Sequence, residues 1–421
     1  MQVFKFGGAS VNSVERIKNM GSIVQQFSND DLVIIVSAMG KTTNSLEKVV
    51  DAFCNNLQAE ALQLFEIIKN QHLTTAKYVL VTQYNACEEQ LQAFFTEVEW
   101  LLHDKPVREQ AYYYDQIICV GELMSTCIVS HYLSEINLAN TWLDVRDVLR
   151  TDSNFRDANI DWEYSTNKII EACKFSVETK KIYITQGFIG ATSDNENTTL
   201  GREGSDYTAA IFANILNANN LTIWKDVAAV MNADPKIFSD AVEINQLSYN
   251  ELIEMAFYGA QVIHPKTIKP LQNKNIALQV KCFLDANLQG TVISNAIVKN
   301  LPPIIVQKQN QILVTFISKD FSFVGQQPMS SLYQWLNLCN IKPTLVQTGA
   351  ITILLVMDEN DVKLQQLASF ADSIFDIQIQ KNLSVLTVRH YTPESLTNLL
   401  ENKQIILQQQ AQHTFQALYK N

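Results

Sequence analysis

The chain has 421 residues, enough for two or three domains at roughly 150 residues each. Apolar residues make up 47% of it and charged residues 18%, a balance that excludes a disordered chain. The net charge of -11, from 32 basic and 43 acidic side chains, excludes a general nucleic-acid or anionic-membrane binder but leaves room for a local phosphate site.

Val3–Phe6, Leu32–Val36, Trp142–Val145, Ile182–Thr185, Leu221–Trp224 and Leu278–Cys282 read as strands. Between them Leu46–Lys69, Glu89–Leu102, Glu109–Ile136, Ser205–Leu216 and Tyr249–Tyr258 carry helical periodicity. Strands alternating with helices predict an α/β fold with a mostly parallel sheet covered on both faces. Asn12 with Glu15, and Ser248 with Glu251, are expected helix-capping pairs. The seven cysteines (54, 87, 119, 127, 173, 282 and 339) lack CxxC spacing, so neither a disulfide framework nor a zinc site is expected, and reduced thiols in the cytoplasm are. No apolar run approaches the ~18 residues of a membrane span. A signal peptide is not expected, since Val3–Phe6 already reads as a strand.

Val298-Lys299-Asn300-Leu301-Pro302-Pro303 marks a boundary, because paired prolines stop regular structure. Residues 1–298 form one expected domain. Residues 304–380 form a second, with a strand at Gln311–Ile317, helix at Ser330–Cys339, strands at Thr344–Gln347 and Ile351–Met357, helix near Asn360–Phe370 and strand at Ile374–Gln380. That is a ferredoxin-like βαββαβ unit of about 70 residues. Residues 381–421 start a second round with Ser384–Arg389, a helix opened by Thr392-Pro393, and strands at Gln404–Gln408 and Thr414–Leu418. This round lacks its last helix and strand, so it needs support from the first unit or another subunit.

Lys5-Phe6-Gly7-Gly8-Ala9-Ser10 leaves the first strand just before the first helix. Adjacent glycines let backbone N–H groups approach a phosphate, and Lys5 falls at the strand end where open α/β sheets place ligands. A tight strand–helix turn with a surface lysine is the plainer alternative. Ser37-Ala38-Met39-Gly40-Lys41-Thr42-Thr43-Asn44 leaves the second strand in the same way and by itself reads as an ordinary loop. Glu122 lies in an apolar helical stretch, either at the surface or buried against a cation such as an ammonium group. In Leu200-Gly201-Arg202-Glu203-Gly204-Ser205-Asp206, two glycines free the backbone around Arg202, whose guanidinium suits a carboxylate. Asp206 begins a helix and either complements its dipole, orients Lys5 or holds a metal-bound phosphate oxygen. Lys225 and Lys236 are candidates to face nucleotide phosphates, and Asp226 the ribose or base. Asp234-Pro235 reads as a turn, and His264 as structural. No Ser-His-Asp set, histidine-rich metal cluster or thiolate nucleophile is evident. An ionised carboxylate acceptor needs none of these, since phosphoryl transfer to it rests on positioning and charge neutralisation.

These blocks together resemble the aspartokinase family, amino acid kinases with C-terminal ACT domains. KFGGAS is similar to that family's KFGGTS, and SAMGKTTN to its SAMxxxTN. GELMST, TQGFIG, TTLGREGSDYTAA, WKDVAAVMNADPKIF and YGAQVIHPKT follow in the family's order. The resemblance runs from residue 2 to about residue 293 and implies a three-layer αβα catalytic domain followed by ACT units. It implies transfer of the γ-phosphoryl group of ATP, carried with Mg²⁺, to the β-carboxylate of L-aspartate, the first step towards lysine, threonine and methionine. By the same resemblance Lys5 and Asp206 are catalytic, and Gly7, Gly8 and Ser10 cradle phosphate. Thr43, Glu122, Arg202, Gly204 and Ser205 hold aspartate, while Lys225, Asp226, Met231, Lys236, Gln261 and Val262 line the nucleotide site. It further implies a lysine or threonine effector near Ser318, Asp320, Phe321, Phe323 and Val324, and a homo-oligomer through the ACT regions, with no metal held by the protein alone. A fused homoserine dehydrogenase is not expected after Asn421. Three departures stand out: Ala9 for threonine, Glu203 for a frequent glycine, placing a carboxylate beside Arg202, and Gln261 for lysine. They suggest one alternative, a catalytically lapsed amino-acid sensor; a second is a kinase for another acceptor such as glutamate, acetylglutamate or a nucleotide, against which the ACT-like tail and the Glu122 and Arg202 pair weigh.

Overall fold

The computed structural model describes residues 1–175 and 180–420. Two compact units account for them. The first comprises Met1–Val230, Glu243–Ile253 and Gln261–Val298, and the second Met231–Val242, Glu254–Ala260 and Lys299–Asn421. The expected division at residue 298 therefore separates most of the chain, but two short upstream segments side with the C-terminal unit.

The chain opens with β1 (Gln2–Phe6), α1 (Val14–Gln26), β2 (Leu32–Val36) and α2 (Thr42–Cys54). Then come α3 (Gln58–Val79), α4 (Tyr84–His103), α5 (Gln110–Ile118), α6 (Val120–Glu135) and β3 (Thr141–Leu143). Next are α7 (Trp162–Ala172), β4 (Ile182–Gln186), β5 (Ile189–Ala191), β6 (Asn197–Thr199), α8 (Gly204–Ile215) and β7 (Asn220–Lys225). Short strands β8 (Val230–Met231), β9 (Glu243–Ile244) and β10 (Gln246–Ser248) lead to α9 (Tyr249–Tyr258), α10 (Pro265–Asn273), β11 (Ala277–Cys282) and β12 (Thr291–Ser294).

Eight of these strands form one sheet in the order β10-β12-β11-β7-β1-β2-β4-β3, parallel except for the β11–β12 pair. Every residue of β2 and β4 is buried, which requires cover on both faces and explains why Leu32–Val36 is continuously apolar. α8 packs on β1, β2 and β7, and α6 packs on β2, β3 and β4. Phe6 lies opposite both Val36 and Trp224, and Val36 lies opposite Gln186. The carboxyl ends of β1, β2, β4 and β7 are thus level, and the loops that follow them leave from one edge of the sheet.

Local structure corrects three expectations. The helical stretches at Leu46–Lys69 and Glu109–Ile136 are each broken: α2 and α3 part at Asn56, whose φ is 60°, and α5 meets α6 at Cys119. The first helix is capped by Ser13 rather than Asn12, Ser13 Oγ accepting from the Arg16 N–H at 3.3 Å. Gln110–Glu135 is, contrary to expectation, long and apolar enough to cross a membrane by length and composition, but 89% of its apolar window is buried inside the protein. Hydroxyl residues interrupt its apolar run at little cost. Thr126 Oγ1 donates to the Glu122 carbonyl at 2.8 Å and Ser125 Oγ to the Ser37 carbonyl at 2.7 Å.

The second unit adds β13 (Ile304–Ser318), α11 (Gln326–Leu338), β14 (Leu345–Thr348), β15 (Thr352–Asp358) and α12 (Asp361–Ala371). β16 (Phe375–Arg389), α13 (Pro393–Leu400), β17 (Gln404–Gln410) and β18 (Thr414–Lys420) follow. They build one six-stranded antiparallel sheet, β14-β15-β13-β16-β18-β17. The expected break at 380–381 falls inside β16, because β13 and β16 are both 15-residue strands running through two lobes. Gln311–Ile317 pairs with β15 on one side and β16 on the other, completing the first βαββαβ lobe. Ile304–Lys308 pairs with Val385–Arg389, so the front half of β13 is the strand that the incomplete lobe lacks. Phe238 packs with Leu386, Val388 and Tyr419, and Arg389 pairs with Glu254 at 3.0 Å. Residues 231–242 and 254–260 thereby supply contacts to the lobe that has no second helix.

Shared strands should make the two lobes unfold together. Leu386→Ala, in the smaller lobe, should cost about 2–5 kcal/mol. Hydrogen exchange should then lose protection at Val314 and Ile353 of the larger lobe alongside Val388. Unchanged protection at Val314 and Ile353 would mean that the lobes are independent.

Candidate active site

Lys5, near the carboxyl end of β1, pairs its Nζ with Asp206 Oδ1 at 2.6 Å, and the two side chains are 13% and 5% exposed. Asp206 stands in the first turn of α8. The chain leaves β1 through Gly7 into a short 3₁₀ turn, Gly8–Val11. Gly8 is required by close approach: a Cβ there would lie 2.5 Å from the Ala38 carbonyl oxygen and 3.0 Å from that of Gly40. The Gly40 N–H donates to the Gly8 carbonyl at 3.0 Å, lacing the loops after β1 and β2 together. Gly187, just after β4, plays the same part for α8, since a Cβ there would meet Ser205 at 2.6 Å.

A cavity of about 280 Å³ opens at this edge, and Lys5, Gly8, Thr43, Glu122, Gly204, Ser205 and Asp206 line it, as the sequence reading groups them. Ser37, Ala38 and Gly40, which alone read as ordinary loop residues, also line it, as does Phe188. Only the β1–β2 and β2–β4 register shows that their loops converge. Gly7 and Ser10 stand behind the lining. A Cβ at Gly7 would be 3.6 Å from Lys5 Nζ, while Ser10 is buried with its N–H on the Gly7 carbonyl at 2.8 Å. A larger cavity of about 460 Å³, between α7, α8 and α10, contains none of these residues.

Glu122, in the first turn of α6, is buried and settles the choice left open by the sequence. Its Oε1 accepts from the Ala38 N–H at 3.1 Å, and its Oε2 has no hydrogen-bond partner among the described residues. Burial pushes its pKa up to about 8, only partly offset by the Ala38 N–H and the charge of Lys5. An unpaired buried carboxylate oxygen facing a cavity suits a cation.

Asp115, not singled out by the sequence, is the hidden support of the loop. Fully buried on α5, it accepts from the Thr199 N–H at 2.8 Å, Thr199 Oγ1 at 2.7 Å and the Arg156 N–H at 3.0 Å. Burial still raises its pKa to about 6, against these three donors. It anchors the chain three residues before Arg202. Arg202 itself is exposed and, among the described residues, its guanidinium makes no hydrogen bond or ion pair, nor does it line the cavity. Glu203 lines the cavity in a left-handed conformation, φ 56°, and its Oε2 accepts from the His264 N–H at 2.7 Å. The carboxylate is thus directed to the start of α10 rather than paired with Arg202. His264 caps that helix, its Nδ1 accepting from the Lys266 N–H.

Of the expected nucleotide residues, Lys225 Nζ donates to the Val262 carbonyl, and Asp226 and Gln261 are exposed. Met231 and Lys236 belong to the second unit, where the Lys236 N–H is held by Asp234 Oδ1 at 2.9 Å. The expected effector residues also lie there. Asp320 accepts from Ser318 Oγ and from Ser322 N–H and Oγ, bonds that hold its pKa down to about 2. Phe321 and Phe323 are exposed, and Val324 packs against the core of the larger lobe.

The amino acid kinase family model matches residues 1–282. Lysine-sensitive aspartokinase 3 of Escherichia coli is 29% identical over 85% of this chain and 78% of its own. Chloroplastic aspartokinase 1 of Arabidopsis thaliana is 28% identical over 96% of this chain and 69% of its own. The crystal structure of E. coli aspartokinase III with aspartate and ADP superposes with a TM-score of 0.82 at 25% identity, covering 100% of this chain and 96% of that one. With the glycine cradle, the Lys5–Asp206 pair and this match over two thirds of its length, the chain belongs to the amino acid kinase family.

Proposed function

We propose that this chain is an aspartate kinase, transferring the γ-phosphoryl group of ATP to the β-carboxylate of L-aspartate to give 4-phospho-L-aspartate. The observation that carries the reading is the cavity itself, with a lysine held by a carboxylate and an unpaired buried carboxylate oxygen, on Glu122, lining the same space. This arrangement complements a zwitterion that must also receive a phosphoryl group. The bound aspartate and ADP of the E. coli relative support it.

In this mechanism an ionised β-carboxylate oxygen attacks the γ-phosphorus, and the bond to the bridging oxygen breaks to release ADP. No proton has to move, so the step itself needs no general base. Lys5 neutralises charge on the transferring group, and Asp206 keeps its ammonium aimed there. Glu122 takes the substrate ammonium and Thr43 and Ser205 offer hydroxyls, while Arg202, exposed and outside the cavity lining, would have to turn inward to take the α-carboxylate. The close approach at Gly8 leaves room for phosphate oxygens where a Cβ would stand. Mg²⁺ carried with ATP would add further neutralisation. Glu203 Oε2 is already engaged by the His264 N–H and Asp206 Oδ1 by Lys5, so phosphate oxygens and water would supply most of its ligands, with Asp206 Oδ2 and Ser205 Oγ as the protein oxygens that could join them. Lysine is the favoured effector, since the E. coli relative is lysine-sensitive, and the second unit is its proposed seat and the proposed means of oligomerisation.

Two measurements test this reading. Lys5→Met combined with Asp206→Asn removes both charges and should leave the urea midpoint near that of the parent. Aspartate-dependent ADP release should fall by at least about 10²–10³-fold. Turnover within tenfold of the parent would remove Lys5 from the mechanism, and no release by the parent protein with aspartate would favour the lapsed-sensor reading. The pH dependence tests Glu122. Its raised pKa means that the empty site favours the protonated acid, a stabilisation lost as pH rises through about 8. An ammonium group needs the carboxylate, so aspartate binding should release a proton and tighten by roughly tenfold per pH unit up to about 8. Calorimetry in buffers of different ionisation heat reads the proton. Glu122→Gln should abolish the release and raise KM, and a pH-independent affinity in the parent would assign the ammonium elsewhere.

A further inference from the structure

Away from this cavity, α4 and α6 bring together Cys87, Cys127 and His131, whose ligand atoms all lie within 4.8 Å of one another. Cys127 and His131 are four residues apart on α6, so both project from one face of that helix. Cys87 comes from the first turns of α4, and its Sγ is 3.7 Å from Cys127 Sγ. Two sulfurs bound to one tetrahedral ion at about 2.3 Å would stand about 3.8 Å apart, so the observed separation already matches a shared ligand edge. A nitrogen ligand at about 2.0–2.1 Å would sit about 3.6 Å from each sulfur, which a movement of the His131 ring of roughly 1 Å achieves.

The surroundings also fit. Gln83 Oε1 lies 3.4 Å from His131 Nδ1 and Gln90 Oε1 3.2 Å from its Nε2. One glutamine can orient the ring through its N–H, as partners of metal-bound histidines do, while the other nitrogen turns to the ion. Both thiols are buried, whereas His131, Gln83 and Gln90 are half-buried and form the entrance. The absence of CxxC spacing argues against a zinc site only when neighbouring residues of one loop supply the ligands. Here two helices supply them, in the manner of sites within helical bundles.

We propose that Cys87, Cys127 and His131 form a binding site for a thiophilic d¹⁰ cation, Zn²⁺ or Cu⁺. Each thiol releases its proton to solvent as its sulfur–metal bond forms. Zn²⁺ completes a tetrahedron with water or a glutamine oxygen, and Cu⁺ is satisfied by the three side chains. The ion clamps α4 to α6, the helix that carries Glu122 in its first turn.

Titration of the reduced full-length protein with Co²⁺ alone tests the site, with Zn²⁺ and Cu⁺ in competition to distinguish the two ions. Thiolate-to-cobalt charge-transfer absorption at one equivalent, and a raised melting temperature with Zn²⁺, are expected. Cys127→Ser and Cys87→Ser should each weaken binding by at least about 100-fold, and Gln90→Leu by about tenfold. Cys54→Ser should change nothing. If either buried-cysteine variant fails to fold, His131→Ala at the entrance carries the test and must weaken Co²⁺ at least tenfold. No charge-transfer band in the parent, or a band that survives in Cys127→Ser and His131→Ala, overturns the proposal.

Discussion

The Lys5–Asp206 ion pair is the contact around which the catalytic unit is arranged. Bringing two charges out of water carries a desolvation penalty that their attraction need not repay, so such a pair is weak as a device for stability. It is nevertheless built from β1 and the first turn of α8, two elements about 200 residues apart in the chain. Holding it requires α8 to begin close to the end of β4, where Gly187 admits Ser205. It also requires the loops after β1 and β2 to fold over each other at Gly8 and Gly40. These close approaches place backbone and charge at one edge before any ligand arrives, which is what a reaction dependent on electrostatic stabilisation needs.

Glu122 completes that arrangement by being left incomplete. Its helix is buried nearly all round, and its neighbours Ser125 and Thr126 satisfy their hydroxyls on backbone carbonyls, so the unpaired Glu122 Oε2 is conspicuous. Burial drives the group towards its neutral form, whereas a cation would draw it back to the carboxylate. The energy of accommodating the charge is therefore recovered when an ammonium group binds. The same helix explains why composition misleads about membranes: a core helix and a spanning helix both lack a polar face, and only the layers packed around this one distinguish them.

Much of this was legible in the sequence, where the physics is local. Alternating strands and helices predict the parallel sheet, and a glycine pair after a strand predicts the tight turn with a closely approached backbone beside Lys5. What escaped depends on long-range pairing. Ser37, Ala38 and Gly40 became part of the site only through the alignment of β2 with β1. Asp115 reads as a residue within a helix until Thr199, 84 positions away, donates to it. The second lobe looked truncated because its missing strand precedes it, as the first five residues of β13. Periodicity cannot show that one strand serves two lobes. Nor could it separate Asn12 from Ser13 as a cap, a choice made by backbone direction at a single residue.

The loop around Arg202 carries the local backbone strain at this edge of the sheet. Phe188, Gly201 and Glu203 all adopt positive φ, at 74°, 75° and 56°, within or beside the start of α8. For residues with a Cβ this costs of order 1–2 kcal/mol each. A glycine at position 203 would relieve its share, yet would lose the bond from the His264 N–H to the carboxylate. Glu203 thus exchanges backbone ease for a tether between the loop and α10. Asp115 holds the other end of the same segment through Thr199. With both ends tied, Gly204, Ser205 and Asp206 enter the helix in one register, and Asp206 meets Lys5. The departure at Glu203, which in isolation suggests a damaged site, is better explained as a different way of fixing the same loop.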